Sequence, residues 1–317
     1  MKKILLSLAT IGVVGAIAAG ATSAYFNDTE TSVGNVFTAG TVDISVDGQN
    51  AWQKTYTEQI GKLVPGETAT LTVPVKNEGT KPIVLRKMIT ASNFQDGVST
   101  DAEVAETADN DISKALIYGM DITDGGVTTT VINPAWNVRV NEVSTLWVTL
   151  GTVEPGETVT VKQTYKMAEE TTNWAQGDTM DLGITFYAEQ TMGTGPDTVN
   201  GVVLDNKAGT DWHSVVDGEL GIFNHTGTSY TFRGFGLVSG RTYRLAYSVA
   251  PYSSYIELAG ATGVATVDGK ITLSGTNLPS SLSDVKIWLL SGTTTDGWGI
   301  SPNQTTNLWE ANLINLI

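Results

Sequence analysis

Apolar and polar residues alternate along much of this chain, and a two-residue period predicts β-strands with one buried and one solvated face. The alternating runs of the first half are 41–47, 68–75, 147–150, 158–161 and 182–188. The second half continues in further strand-like segments at 199–204, 230–232, 243–249, 263–267, 270–273 and 286–290. The pattern predicts an all-β protein built from sandwiches or jelly rolls.

Turn signals separate these runs. Pro65-Gly66 and Pro155-Gly156, each followed by Glu, predict tight type II turns that lead into strands. Asp268-Gly269 predicts a two-residue β-hairpin. The acidic stretch 96–124 is interpreted as a long solvated loop or insertion between strands.

The chain divides into four predicted parts. Residues 1–24 are a signal peptide, 25–192 a first β-domain, 193–198 a linker and 199–317 a C-terminal β-sandwich domain. Gly and Pro cluster at the boundary, in the run QTMGTGPD that follows the strand ending near Glu189. The length also suits two domains.

The N-terminus has the composition of a secretory signal. Lys2 and Lys3 precede an apolar run over residues 4–21, and the small-residue site 22–24 follows. We expect cleavage between Ala24 and Tyr25. The alternative is an uncleaved membrane anchor, since the run is long enough to cross a bilayer.

Composition and net charge exclude several kinds of site and disfavour several kinds of partner. There is no cysteine, which excludes disulfides, thiolate metal sites and a cysteine nucleophile. The formal net charge is −15, and it would be −17 after loss of Lys2 and Lys3. This charge disfavours nucleic acid and anionic membrane surfaces. We therefore expect a secreted, extracellular or cell-surface protein that is free of the membrane after cleavage.

The sequence resembles the TasA/camelysin family over residues 25–190. The segments YFND and NVFTAGTVDI, at 25–28 and 35–44, resemble the mature start of that family. Segments 63–67 (LVPGE), 75–80 (VKNEGT), 173–178 (NWAQGD) and 184–190 (ITFYAEQ) resemble a turn and later strands. The resemblance implies an N-terminal jelly roll, exported through a dedicated signal peptidase. It also implies self-assembly into extracellular fibres, as in bacterial matrix fibres and archaeal bundling pili.

The family assembles by donor-strand exchange, in which the mature N-terminus of one subunit adds a strand to the next. A sandwich with an open edge offers unpaired backbone groups for such a strand. The donor segment would carry Tyr25, Phe26, Val33, Val36 and Phe37. The alternative is that residues beyond Gly34 form the first strand of their own domain. The last part of the chain loosely resembles a β-domain of archaeal surface proteins.

Motifs for catalysis are sparse. The two histidines, His213 and His225, lie outside the family-like part, and no H-E-x-x-H or G-x-S-x-G motif occurs. We therefore expect no enzyme activity, no catalytic residues, no cofactor and no metal site. A secreted hydrolase with paired carboxylates stays as an alternative.

The sequence also offers candidate calcium ligands and candidate glycosylation sites. The aspartates at 96, 101, 109, 111, 121 and 124 offer oxygen ligands for calcium, although their spacing matches no calcium loop. Asn27, Asn224 and Asn303 begin glycosylation sequons.

The sequence as a whole predicts a structural subunit of a fibre, pilus or biofilm matrix that binds copies of itself. Neighbouring fibres or cell-surface glycans are further candidate partners. The rival hypothesis is a monomeric adhesin or glycan-binding protein that acts through its C-terminal domain. Exposure of Trp288, Trp298 and Trp309 together would favour that rival.

Overall fold

A computed structural model describes residues 42–49, 63–97, 109, 111–175, 177–190, 200–208, 213–215, 217–250, 255–291, 308–310 and 314–316. All of them belong to one compact unit, Gly40–Ile317. The described residues are mostly antiparallel strands, which confirms the all-β prediction. The one α-helix among them, α1, is the single turn Val140–Val143. No helix in the described ranges is long and apolar enough to cross a membrane.

Eight strands are described in the first region, residues 42–190. They are β1 (Ile44–Val46), β2 (Thr68–Asn77), β3 (Ile83–Gln95), β4 (Leu116–Asp124), β5 (Val127–Ile132), β6 (Trp147–Val153), β7 (Thr158–Met167) and β8 (Thr179–Gln190). A five-stranded sheet has the order β1-β2-β7-β4-β5, and a three-stranded sheet has the order β6-β3-β8. The two sheets face each other across a first core that takes Leu71 and Val73 from one and Leu85 and Ile89 from the other.

The two predicted Pro-Gly turns lie at opposite ends of the β2–β7 pair. Gly66 and Gly156 have φ of 87° and 81°, a left-handed conformation that glycine adopts without steric cost. In both turns the glutamate that follows closes the turn: its backbone N–H donates to the residue three positions before, and its carboxylate accepts from that residue's N–H at 3.1 Å. The predicted strand-entry turns are therefore confirmed.

The part of the second region, residues 200–316, that the structure describes contains ten strands. They are β9 (Gly201–Ala208), β10 (His213–Val215), β11 (Leu220–Thr226), β12 (Ser229–Phe235), β13 (Thr242–Ser248), β14 (Ile256–Val264), β15 (Ile271–Gly275), β16 (Leu282–Ser291), β17 (Leu308–Glu310) and β18 (Ile314–Leu316). Eight follow the order β14-β13-β16-β17-β9-β11-β12-β15, while β10 pairs with β9 and β18 with β16. A second core lies within this region and includes Phe223, Phe232, Leu245 and Ile287.

Two predictions of local structure are wrong. Residues 116–124 are not part of a loop but form β4, in which Leu116, Tyr118, Met120 and Ile122 alternate into the core. The acidic residues around this strand obscured that alternation. Asp268-Gly269 does form a turn, but the strands on either side are not a hairpin, because β14 pairs with β13 and β15 pairs with β12.

The two regions share part of their packing. Val203 of β9, Ile222 of β11 and Phe235 of β12 belong to the first core. Their neighbours along the strands, Val202 and Phe223 among them, belong to the second. These strands are therefore buried on both faces, which explains the continuous apolar run VVL at 202–204.

Polar contacts reinforce this joint between the regions. Arg233 Nη1 donates to both carboxylate oxygens of Glu142 at 2.5 and 2.6 Å, and Arg233 Nη2 donates to the Trp136 carbonyl at 3.0 Å. The Trp136 ring stacks on Phe235 with centroids 4.9 Å apart. The joint thus combines apolar burial with an ion pair in which one guanidinium nitrogen contacts both carboxylate oxygens.

Candidate functional site

The edge strand β8 is incompletely covered. Its inward-facing side chains are Met180, Leu182, Ile184, Phe186 and Ala188, and all five are half-buried against the first core. By contrast, the inward residues of the central strand β3 include Ile83 and Leu85 at 0% exposure. Among the described residues, β8 pairs with β3 alone. A row of five apolar side chains therefore lines an edge on which no further described strand pairs.

A buried ion pair holds this edge strand in place. Arg86 of β3 donates through Nε and Nη2 to Glu189 Oε1 at 3.1 and 2.9 Å, and through Nη1 to Thr149 Oγ1 of β6 at 2.8 Å. Arg86 is 3% exposed. One guanidinium therefore connects all three strands of the small sheet, so β8 can accept a partner without leaving β3.

The facing sheet has a second open edge, along β2. Backbone groups of Asn77 pair toward β7, through Glu157 and Gly156, whereas the Pro74 carbonyl accepts from Asp47 N on the β1 side at 2.9 Å. Strand alternation then directs the N–H and C=O groups of Thr70 and Thr72 to the β1 side. No described strand pairs with them there, since β1 pairs only with residues 75–77. Pro74, which lacks an N–H, is the residue type expected at such an edge.

The strand β1 lies next to this open edge. It begins at Ile44, just after the predicted donor segment, and ends at the Asp47-Gly48 turn, where both residues have positive φ. The predicted donor residues Tyr25, Phe26, Val33, Val36 and Phe37, the cleavage site Ala24–Tyr25, and the sequon residues Asn27 and Asn303 lie outside the described residues. Each of these stays a prediction.

Three of the aspartates considered as calcium ligands, Asp109, Asp111 and Asp121, contact other side chains, and Asp101 lies outside the described residues. Lys114 Nζ lies 2.8 Å from Asp109 Oδ2, and this contact lowers the pKa of Asp109. Asp121 accepts from Thr130 at 2.8 Å and faces Lys162 at 3.4 Å. Over the described ranges, no group of three or more His, Asp or Glu side chains is placed to hold a metal ion.

The remaining predicted residues are dispersed in the second region. Asn224 lies in β11, and its Nδ2, the atom that a glycan would modify, donates to the Glu142 carbonyl at 3.0 Å. Trp288 is half-buried and donates to Ser248 Oγ at 3.0 Å, while Trp298 lies outside the described residues. His213 is on β10, and His225 on β11 lies 3.4 Å from the Gly227 carbonyl.

Sequence reasoning missed one carboxylate pair, at the start of β11. Asn206 Nδ2 donates to Asp217 Oδ2 at 2.9 Å and to Glu219 Oε2 at 2.5 Å. Burial, with a smaller contribution from the nearby Asp217, raises the pKa of Glu219 to about 7. The two residues are close in sequence but adopt no motif spacing, so only the fold shows that they share one amide.

Comparison with known proteins finds a family model that matches the first region. The family model described as "Camelysin metallo-endopeptidase" matches residues 1–195. No curated protein matches the chain at a significant level. Among solved structures, a red sea bream transglutaminase aligns at 12% identity over 90% of this chain, with a TM-score of 0.15, which is too low to indicate a shared fold. The chain spans about a third of the length of that structure, 34%.

Proposed function

This chain belongs to the camelysin family, and we propose that it is a secreted structural subunit that polymerises by donor-strand exchange. The mature N-terminus, freed by cleavage after Ala24, would leave its own subunit and pair with β8 of the next. The product is an extracellular fibre, pilus or matrix polymer made of copies of this chain.

The observation that carries this proposal is the half-buried row of five apolar side chains on β8. An added strand would pair with the free edge of β8 and cover that row, converting exposed apolar area into an interface. The donor supplies apolar residues of its own, Phe26, Val33, Val36 and Phe37. The open edge at Thr70 and Thr72 on the facing sheet is where such a segment would enter or leave β1.

The peptidase description of the family does not fit the residues of this chain. Histidine and carboxylate side chains are the usual ligands of catalytic zinc. The matched residues 1–195 contain no histidine, because His213 and His225 both follow them. A structural role therefore accounts better for the matched region.

The second region would be attached to the fibre through its contact with the first region, which includes the Arg233–Glu142 ion pair. We assign it an outward position, where it could contact neighbouring fibres or surface glycans. The acidic net charge of −15 supports a solvated exterior and disfavours nucleic acid as a partner.

Electron microscopy of the mature protein tests the donor. Deletion of residues 25–35 should abolish fibres while the far-UV circular dichroism spectrum stays that of a β-protein. Fibres that persist after the deletion would refute donor-strand exchange.

A matched pair of variants tests the acceptor. Ile184→Asp places a charge in the half-buried row, and Thr185→Asp places the same charge on the exposed face of the same strand. We expect fibre mass, measured by sedimentation, to fall at least about tenfold for I184D, since a charge desolvated at an interface costs several kcal/mol. T185D should assemble normally, and equal assembly of both variants would exclude β8 as the acceptor.

A further inference from the structure

A polar cluster lies between the two sheets of the first region, in the middle of an apolar core. Lys87 comes from β3 and Gln163 from β7, which belong to opposite sheets. Lys87 is 2% exposed and Gln163 is 0% exposed. Both occupy inward positions where the alternation of their strands otherwise places apolar or aromatic residues. Polar side chains at such positions need a specific reason, because their burial is costly.

Two tyrosines connect the pair. Lys87 Nζ donates to Tyr118 Oη at 2.6 Å. The hydroxyls of Tyr118 and Tyr165 both donate to Gln163 Oε1, at 3.2 and 2.9 Å. One carboxamide oxygen therefore accepts two phenolic hydrogen bonds. Donors aimed at a carbonyl oxygen are the arrangement that stabilises negative charge on that oxygen during acyl transfer.

The surroundings of Lys87 favour the neutral amine, the form that can attack a carbonyl. Among the described residues, its Nζ contacts the Tyr118 hydroxyl and the face of the Tyr118 ring, 5.0 Å from the ring centroid, and neither partner is a carboxylate. Burial in the core lowers the pKa of Lys87 well below its usual range. A neutral amine has a free electron pair and is a nucleophile.

The amide nitrogen of Gln163 is the matching leaving group. Gln163 Nε2 is buried and has no hydrogen-bond partner among the described residues. A buried donor without a partner destabilises the folded state. Loss of this nitrogen from the core would remove that unsatisfied group.

We propose that Lys87 and Gln163 form an intramolecular isopeptide bond. The electron pair of Lys87 Nζ attacks Gln163 Cδ, so an N–C bond forms, and the Cδ–Nε2 bond then breaks. One Nζ proton ends on the leaving nitrogen, which departs as ammonia. Tyr118 Oη, which touches both Nζ and Oε1, is the group positioned to carry that proton. No oxidant, metal or co-reactant is needed.

The bond would connect the two sheets covalently in a chain that contains no cysteine. Like a disulfide, it would restrict the unfolded chain by closing the loop between residues 87 and 163. The inference is independent of polymerisation, because every atom involved lies within one subunit.

Mass spectrometry of the purified full chain tests the proposal directly. We expect an intact mass lower than the sequence mass by one molecule of ammonia. We also expect a branched peptide that joins the Lys87 and Gln163 segments after proteolysis. An unmodified mass with separate linear peptides for both segments would overturn the proposal, and this measurement requires no variant to fold.

Three substitutions test whether Lys87 and Gln163 are the residues that lose ammonia. Lys87→Met should restore the full mass expected from its sequence, whereas Lys162→Met, a change at the exposed neighbour of Gln163, should keep the deficit. Tyr165→Phe, which removes one donor to Oε1, should slow formation at least about tenfold in a refolding time course. A deficit that survives K87M would place the ammonia loss elsewhere and overturn the proposal.

Discussion

The two edges of the three-stranded sheet have different surroundings. On β6, Val148, Leu150 and Val153 are fully buried, and the strand lies beside β9 of the second region. On β8, the inward residues are only half-buried. Apolar residues recur along both strands, so the sequence tells which side chains are apolar but not what covers the edge. The covered edge is a joint within the subunit, and the uncovered edge is the proposed joint between subunits.

The largest expected effect contrasts the centre of the sheet with its open edge. Leu85→Ala should lower the free energy of unfolding by about 2–5 kcal/mol, since it creates a cavity in a fully buried site. Ile184→Ala should cost the unassembled subunit only about 1 kcal/mol, because its side chain is already partly in water. Urea denaturation of both variants in the background that lacks residues 25–35 measures the difference. Equal losses would mean that β8 is covered in the single subunit.

The second largest expected effect concerns the ion pair between the two regions. Arg233→Met should lower the free energy of unfolding by about 2 kcal/mol, because both carboxylate oxygens of Glu142 lose their charged donor. A double-mutant cycle with Glu142→Gln isolates the coupling between the two side chains. Lys81→Met, an exposed change in the first region, is the control. A coupling near zero would show that the ion pair does not strengthen the joint.

A pH dependence follows from Glu219, whose neighbour Leu220 packs in the first core. The unfolded carboxyl titrates near 4.5, but burial raises the pKa of the folded one to about 7. The folded state therefore binds an extra proton between these values, and stability falls as the pH rises through this window. The loss should be about 1–2 kcal/mol, allowing for partial exposure to water.

Chemical denaturation at pH values on either side of this window measures that loss. Glu219→Gln should remove the dependence, while Glu257→Gln, on β14 in the same region, should keep it. A wild-type stability that rises from pH 4.5 to 7 would contradict the assignment to Glu219.

The smallest expected effect is at the rim of the joint. Lys270 Nζ lies 3.5 Å from the Ala135 carbonyl and pairs with the exposed Asp268 at 2.8 Å. Lys270→Met should change the free energy of unfolding by no more than about 0.5 kcal/mol, as is usual for exposed ion pairs. A larger loss in thermal denaturation would mean that the rim, and not only the Arg233–Glu142 pair, holds the regions together.

The sequence predicted the all-β class, because alternation over β2, β6, β7 and β8 is a local property. The family resemblance was likewise correct, since residues 1–195 match the camelysin model. Partner choice between strands was not predictable. Asp268-Gly269 has the composition of a hairpin turn, yet the strands beside it join different neighbours, a choice that packing of the whole sheet decides.

The candidate site was only partly predictable. The donor residues follow from the family resemblance and lie outside the described residues, whereas the acceptor row on β8 depends on which strand is left at an edge. Lys87 and Gln163 did leave a sequence signal. Each is a polar residue at an inward position of an otherwise alternating strand, a break in period that deserves a structural explanation.

The shared first core has a consequence for solubility. If the chain were cut after residue 195, Val203, Leu220, Ile222 and Phe235 would be lost from that core. The apolar surface they cover, beside Trp136 and β6, would then meet water. A fragment of residues 1–195 would expose two apolar surfaces, this one and the row on β8, whereas the intact chain exposes only the row on β8. The fragment should therefore precipitate at concentrations where the intact chain stays dissolved. The second region therefore keeps an apolar surface of the first region out of water, independently of any partner that it binds.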